Sequence, residues 1–452
     1  MKIPLVAVVG RPNVGKSTFF NTLVGKRKSI VSEESGVTRD RIIDNVEWAG
    51  RTFSLVDTGG LDFDVANQWN EHIREQVDIA IAHADVVVFL TSGEDGVHPH
   101  DVDIANILRR TKKNIILAVN KLDNAEREAM MYEFFNLDIG QPFGISCTQR
   151  RGLGDLLDEI VKHFPVITKK AVDEFYDNDE DEEISSAPRI AIVGKPNAGK
   201  SSIVNKLLGT NRVMVSDIAG TTRDTVDTGF RYEGKDFVLT DTAGIRRKRS
   251  VEVQTIEHYS VIRALATIRD SDVVVLVVDA TEGTTEQDVR LLGYAHENGK
   301  PSVVVVNKWD LIEKNSYTML DFTKKLKLDL AFMSYFKAIY VSALTGQRVG
   351  ELMKAVEFVI DKSKTRITTG TLNNLINGFV ALNPPPMSGH KRAKILYSTQ
   401  IGTAPPTFAL FVNDAAIFKS QYLRYLENSL RKSIDLTGTP IKFVLRNRSE
   451  KV

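Results

Sequence analysis

Two eight-residue stretches have the residue types and spacing of a phosphate-binding loop: Gly10-Arg11-Pro12-Asn13-Val14-Gly15-Lys16-Ser17 and Gly194-Lys195-Pro196-Asn197-Ala198-Gly199-Lys200-Ser201. The chemistry is specific. Glycines let successive backbone N–H groups converge on phosphate oxygens, and the N-terminus of a following helix adds a dipole that favours anions. Lys16 and Lys200 are spaced to reach β- and γ-phosphates, and Ser17 and Ser201 to hold Mg²⁺. The motif requires a strand before it and a helix after it. Apolar, β-branched runs at 5–9 and 190–193 precede the loops, and helix-like segments at 18–24 and 202–208 follow. A Gly-rich turn opening a helix is the bland alternative. Repetition, together with the partner motifs below, favours the phosphate site.

A phosphate loop does not choose the base. Asn120-Lys121-Leu122-Asp123 and Asn307-Lys308-Trp309-Asp310 supply the choice. A carboxylate at Asp123 or Asp310 accepts from both the N1–H and the N2 amine of guanine. Adenine lacks that donor pair and would leave the carboxylate unpaired. Asn120 and Asn307 can bond the base or tie loops together, and the Lys121 and Lys308 stems can cover the ring. Ser146-Cys147 and Ser342-Ala343 follow the next short apolar runs and are expected to cover the guanine edge, with Cys147 a packed small residue rather than a reactive thiol. Asp57-Thr58-Gly59-Gly60-Leu61 and Asp241-Thr242-Ala243-Gly244-Ile245 complete the pattern. Asp57 and Asp241 end strands and take the Mg²⁺-holding role, and Thr38 and Thr222 are switch threonines that coordinate Mg²⁺ when a γ-phosphate is present. GTP and GDP are thus the expected substrate and product.

These motifs need a scaffold, and the scaffold is duplicated. The paired Gly10/Gly194, Thr38/Thr222 and Asp57/Asp241 are each separated by 184 positions. That period is domain-sized rather than solenoid-sized. In each copy, short apolar runs (6–9, 52–56, 85–90, 115–119; then 190–193, 237–240, 272–278, 302–306) alternate with helical-length segments. Continuous apolar strands with helical crossovers predict a mostly parallel, doubly wound α/β sheet covered on both faces. Every motif lies just past the carboxyl end of such a run, where the chemistry of these sheets sits. The expected division is 1–168, a connector at 169–187, 188–364, and a small α+β domain at 365–452.

Composition sets limits. A chain of 452 residues fits about three domains. Hydrophobic content of 42% and charged content of 26% are ordinary for a globular protein. One cysteine allows no intrachain disulfide. The N-terminus does not read as a signal peptide, and no apolar run is long enough to span a bilayer, so a cytoplasmic protein with no membrane partner is expected. The connector stretch 173–183 is acidic and holds no Lys or Arg, so it reads as a solvated linker. Net charge is +1, yet residues 364–452 carry thirteen Lys/Arg against four Asp/Glu. Separated positive charge of this kind suits phosphate backbones. The tail reads α-β-β-α-β: a helix near 371–382, a basic loop at 388–392, strands at 394–400 and 407–412, a helix at 419–433 and a strand at 441–445.

With these residues in place, the chain resembles the double Era-like GTPases of the Der (EngA) family over essentially its whole length. The resemblance implies two P-loop G domains, a C-terminal KH-like domain, Mg²⁺-dependent GTP hydrolysis, and a partner in the large ribosomal subunit and its RNA, acting as a monomer. It also marks two departures. Leu61 and Ile245 stand where a water-positioning Gln is found in Ras-type GTPases, and an apolar side chain cannot orient the attacking water. Asn13 and Asn197 occupy the position that ligates K⁺ in related GTPases, so K⁺ is an expected cofactor. Lys16, Thr38, Asn13 and their counterparts Lys200, Thr222, Asn197 are then the expected catalytic set. Arg246-Arg247-Lys248-Arg249 follows Ile245 only in the second copy, whereas the first has Asp62-Phe63-Asp64, so the two domains are not expected to be equivalent. No G-x-x-G loop of the ordinary KH type is found. An RNA-binding scaffold in which hydrolysis is incidental is the alternative reading.

Overall fold

The computed structural model describes residues 3–24, 43–57, 81, 84–124, 127, 129–164, 187–209, 213–215, 227–241, 256–388 and 391–447. It divides into two compact units, Met1–Glu174 and Phe175–Val452. The acidic stretch 173–183 lies outside the described residues.

The first unit runs β1 (Leu5–Val9), α1 (Lys16–Val24), β2 (Ile43–Trp48), β3 (Arg51–Asp57), β4 (Val86–Ser92), α2 (Pro99–Arg109), β5 (Asn114–Asn120), a 3₁₀ helix (Ala129–Leu137), β6 (Phe143–Gly144) and α3 (Leu153–Lys162). The sheet order is β2-β3-β1-β4-β5-β6. All pairings are parallel except β2 with β3. Because side chains alternate along a strand, each buried strand feeds two cores. Val6, Val8, Val86 and Val88 pack with Phe19, Phe20, Leu156 and Ile160 on one face. Ala7, Val9, Val87 and Phe89 pack with Ile104, Leu108 and Phe134 on the other.

The second unit repeats this scheme and adds a domain. It runs β7 (Arg189–Val193), α4 (Lys200–Leu208), β8 (Val213–Val215), β9 (Thr228–Tyr232), β10 (Lys235–Leu239), α5 (Ile256–Asp270), β11 (Val273–Asp279), α6 (Glu286–Glu297), β12 (Ser302–Asn307), α7 (Thr318–Asp329), β13 (Lys337–Tyr340) and α8 (Glu351–Ser363). The sheet order is β13-β12-β11-β7-β10-β9-β8, antiparallel only at the β10-β9-β8 edge. The C-terminal elements are α9 (Thr369–Leu382), β14 (Met387–Ser388), β15 (Lys391–Arg392), β16 (Ile395–Gly402), β17 (Thr407–Val412), α10 (Ser420–Ser433) and β18 (Lys442–Asn447). The α-β-β-α-β order is as expected. Within the loop read at 388–392, however, β14 and β15 pair as a short antiparallel ladder, Met387 with Arg392 and Ser388 with Lys391. β16, β17 and β18 form one sheet, and Phe408, Leu410 and Val412 bury against Leu372, Ile376, Leu426 and Leu430 of the two helices.

The C-terminal domain is bonded to the second α/β domain at the amino ends of its parallel strands. Gly438 N–H donates to Tyr335 O, and Ser302 N–H, at the start of β12, donates to Gly438 O, both at 2.7 Å. Ala404 N–H donates to Ser363 O at 2.8 Å, and Thr439 Oγ1 donates to Val359 O at 3.2 Å. The Arg431 guanidinium lies 3.6 Å from the Tyr335 ring centroid, held there by Glu427. Tyr335 shares a 2.6 Å hydrogen bond with His296 Nδ1. Burial holds the His296 pKa below its ordinary value, Glu427 opposes this, and Arg431, Lys442 and Arg424 reinforce it, so His296 sits here as a neutral side chain.

Candidate functional site

Each loop is shaped by what its glycines must avoid. Gly15 and Gly199 have φ of +97° and +96°, and a Cβ on either would lie 2.4 Å from Asn120 Nδ2 or 2.1 Å from Asn307 Nδ2. A Cβ on Gly10 or Gly194 would meet the backbone oxygen of Leu90 or Val277 at 2.2 and 2.3 Å. Only glycine fits, and the loop backbone is left to curl over the carboxyl ends of β1 and β7. Val14 and Ala198 are fully buried and anchor the loops from below. Asn13 and Asn197 adopt left-handed conformations with φ of 65° and 63°, and their exposed side chains take no hydrogen-bond partner among the described residues. Pro12 is exposed and Pro196 half-buried beside them.

The lysines fold back over the curl. Lys16 Nζ donates to Gly10 O at 2.7 Å and Arg11 O at 2.8 Å, and Lys200 Nζ to Gly194 O at 2.6 Å and Lys195 O at 2.5 Å. Burial pushes the Lys16 ammonium down to about 8, with the Asp57 charge pulling it back up. Ser17 Oγ donates to Asp57 Oδ2 at 2.9 Å. That hydroxyl–carboxylate pair is an all-oxygen donor set of the kind Mg²⁺ takes with retained waters. Ser201 is the second residue of α4, and Asp241 follows β10 with a φ of 53° and its N–H bonded to Asp227 Oδ1 at 3.1 Å. Thr38, Thr58, Gly59, Gly60, Leu61, Thr222, Thr242, Ala243, Gly244, Ile245 and the 246–249 cluster lie outside the described residues.

Of the two roles open to the motif asparagines, tying loops together is the one they occupy here. Asn120 Nδ2 donates to Val14 O at 2.9 Å, while Asn120 Oδ1 accepts from Cys147 N–H at 3.1 Å. Asn307 does the same with Ala198 O at 2.9 Å and Ala343 N–H at 3.0 Å. The phosphate loop and the Ser146/Ser342 loop are thus joined through one buried side chain in each copy. Leu122 and Trp309 are core residues, Trp309 packing its ring 4.5 Å from that of Tyr340, so each roots its motif loop in the sheet. Burial and the Asp123 charge push the Cys147 thiol up to about 12, which leaves it protonated and unreactive.

Several partners were not legible as motif residues. Arg11 reaches Asp95 at 2.5 Å and Asp101 at 3.4 Å, and Lys195 pairs with Glu282. Lys121 Nζ lies 3.1 Å from Glu94, and Lys308 Nζ 2.6 Å from Asp279. Asp101 lies in the first turn of α2; the other carboxylates end or closely follow β4 and β11, and their sequence signal is an acidic residue just past an apolar run. The pairs with Glu94 and Asp279 tether the Lys121 and Lys308 side chains.

Two doubly wound sheets, each with a phosphate loop tied by asparagine to a guanine-type loop, define a tandem P-loop GTPase. Residues 5–121 and 189–308 match the family described as "50S ribosome-binding GTPase", and residues 366–446 match "KH-domain-like of EngA bacterial GTPase enzymes, C-terminal". The chain is 49% identical to "GTPase Der" of Lachnospira eligens over 452 residues, covering 100% of both chains. It is also 49% identical to "GTPase Der" of Alkaliphilus metalliredigens over 449 residues, covering 99% of both. The chain belongs to the GTPase Der family. It is a GTP-binding switch protein that hydrolyses GTP, with two G domains and a C-terminal KH-like domain.

Proposed function

We propose that this GTPase works in assembly of the large ribosomal subunit, as a cytoplasmic monomer whose two nucleotide sites govern its grip on ribosomal RNA. The observation that carries this reading is the joining of a strongly basic C-terminal domain to the second G domain by backbone hydrogen bonds at Gly438 and Ala404. Residues 364–452 carry thirteen basic and four acidic side chains. Such a domain offers phosphate-backbone affinity, and its bonded partner supplies the nucleotide dependence. The family matched by residues 5–121 and 189–308, a family of 50S ribosome-binding GTPases, supports the same reading.

In each site the loop N–H groups and Lys16 or Lys200 bind the phosphates, and Asp123 or Asp310 reads guanine. Ser17, Asp57 and Thr38, or Ser201, Asp241 and Thr222, are the residues that would hold Mg²⁺, which neutralises phosphate charge when bound. Lys16 and Lys200 must exchange their bonds to loop carbonyls for bonds to phosphate oxygens, so nucleotide entry reorganises both ends of each loop. With Leu61 and Ile245 unable to orient water, charge stabilisation has to come from elsewhere. Asn13 and Asn197, exposed and without hydrogen-bond partners among the described residues, are available to hold K⁺. Exchanging Na⁺ for K⁺ at constant ionic strength is expected to raise phosphate release about tenfold or more, on the scale of one added transition-state charge contact. The gain should disappear site by site in Asn13→Ala and Asn197→Ala. Equal wild-type rates in the two salts exclude the K⁺ role.

The test of the whole reading is co-sedimentation with ribosomal particles in GDP and in a non-hydrolysable GTP analogue. Association with large-subunit particles should differ between the two nucleotides and fall steeply as salt rises. Replacing Arg246, Arg247 and Lys248 by Ala should remove most of the nucleotide dependence while GTP affinity stays near normal. Binding that is indifferent to nucleotide, with turnover unaffected by particles, favours the scaffold alternative instead.

A further inference from the structure

The two base-reading carboxylates are not in the same condition. Asp123 Oδ1 accepts from Ser146 Oγ at 2.5 Å and from Thr148 Oγ1 at 3.2 Å, and Arg127 faces Oδ2 at 3.8 Å. An sp² oxygen has two lone-pair sites, so both positions on Oδ1 are occupied by the protein itself. Asp310 Oδ1 in the second site is buried and has no hydrogen-bond partner among the described residues. The difference has two parts: Ser342 Oγ, unlike its counterpart Ser146 Oγ, does not bond the carboxylate, and the Thr148 hydroxyl has no counterpart in the second site. Ser146-Cys147 is followed by Thr148, and Ser342-Ala343 by Leu344, whose side chain is 82% exposed and has no hydroxyl to offer. Ser342 Oγ accepts from Thr345 N–H just as Ser146 Oγ accepts from Gln149 N–H, so the residue at the Thr148/Leu344 position is the difference in residue type between the two loops that bears on the carboxylate.

We infer that Thr148 sets the guanine affinity and base discrimination of the first site by competing for the carboxylate that reads the base, and that Leu344 frees the second site of this competition. The inference rests on Asp123 and Asp310 being the base readers. Guanine presents two donors, one for each carboxylate oxygen. At Asp123 it must displace a hydroxyl from Oδ1, and the Thr148 bond, longer and on an exposed residue, is the one that yields. At Asp310 the same bond forms on an oxygen that is already dehydrated and unpaired, so binding relieves a penalty instead of exchanging one bond for another. The first site should therefore discriminate poorly between guanine and hypoxanthine, which lacks the 2-amine, and the second should discriminate strongly.

The test uses the full chain with one site closed to guanine at a time. In an Asp310→Asn background, GDP and IDP titrations report the first site; in Asp123→Asn they report the second. Thr148→Val should tighten GDP at the first site about three- to tenfold, the worth of one exchanged hydrogen bond, and raise the GDP/IDP preference by a similar factor. Thr148→Ser, which keeps the hydroxyl, should behave as wild type. Leu344→Thr should weaken GDP and narrow the GDP/IDP ratio at the second site. A valine variant with unchanged or weaker GDP binding and an unchanged ratio overturns the inference, as does a Leu344→Thr variant with an unchanged ratio. Should neither site of the wild type prefer guanine over adenine nucleotides, the base-reader assignment itself fails, and that outcome is distinct from the first.

Discussion

Replacing Asp123 by Asn is expected to cut GTP affinity at the first site by about 10- to 150-fold and to admit xanthosine nucleotides. Both effects follow from which donors face which acceptors. Ser146 and Thr148 donate to Oδ1, so in the variant the amide oxygen takes that place and the Nδ2 group takes the place of Oδ2. An N–H₂ group there faces the donor edge of guanine, and one charge-assisted contact becomes a donor–donor clash. The loss is about 1.5–3 kcal/mol. Xanthine carries a carbonyl where guanine carries the 2-amine, and the new amide can donate to it. Titration with fluorescent GDP and XDP, with the second site held in a known state, reads both changes. A variant that kept wild-type guanine preference would remove Asp123 from the base-reading role. Asp310→Asn should behave similarly in direction. No hydroxyl among the described residues bonds Asp310 Oδ1 to fix the amide orientation, so the gain in xanthosine binding should be smaller.

That contrast marks how far the sequence could be read. The central strands were legible because a strand buried on both faces is a continuous apolar run, as in 86–90 and 273–278, and the structure places β4 and β11 there. The sheet edges were not. β2 reads Ile-Asp-Asn-Val-Glu-Trp with only Val46 buried, and it pairs antiparallel to β3, so no apolar run announced it. The ladder flanking residues 389 and 390 was read as loop because each side contributes only two residues. In the site, glycines, lysines, asparagines and aspartates at fixed offsets were readable because they lie within single loops. What the asparagines do was open, since bonding the base and tying two loops leave the same residue type. The tie crosses 106 positions between Asn120 and Val14 and becomes visible only in space. The Thr148 contact was illegible for a related reason. A threonine after Ser-Cys carries no signal until its hydroxyl is seen on Asp123.

The largest structural effect is expected from a residue far from either nucleotide. Gly438 has φ +76°, and a Cβ built on it would lie 2.3 Å from Val359 Cγ1, 3.0 Å from Val359 Cβ and 3.2 Å from Ser302 O. Gly438→Val places a β-branched residue in a left-handed conformation, against a buried side chain and a backbone carbonyl that cannot both give way. Strain and overpacking together should cost about 3 kcal/mol or more. The same residue supplies the backbone bonds to Tyr335 and Ser302, so relief of the clash by backbone movement breaks two buried hydrogen bonds. The KH-like domain should then loosen from the second G domain. Its helices α9 and α10 should lose hydrogen-exchange protection, and a separate melting transition should appear below that of the wild type. Nucleotide affinity at the second site should change less than about twofold, because Ser302 begins β12 and Asn307, which ties the nucleotide loops, ends it. If the docked domain is also what couples nucleotide state to ribosomal particles, the variant should still bind GTP but lose the difference in co-sedimentation between GDP and the GTP analogue. Unchanged exchange in α9 and α10 would show that the Gly438 turn does not hold the domain in place.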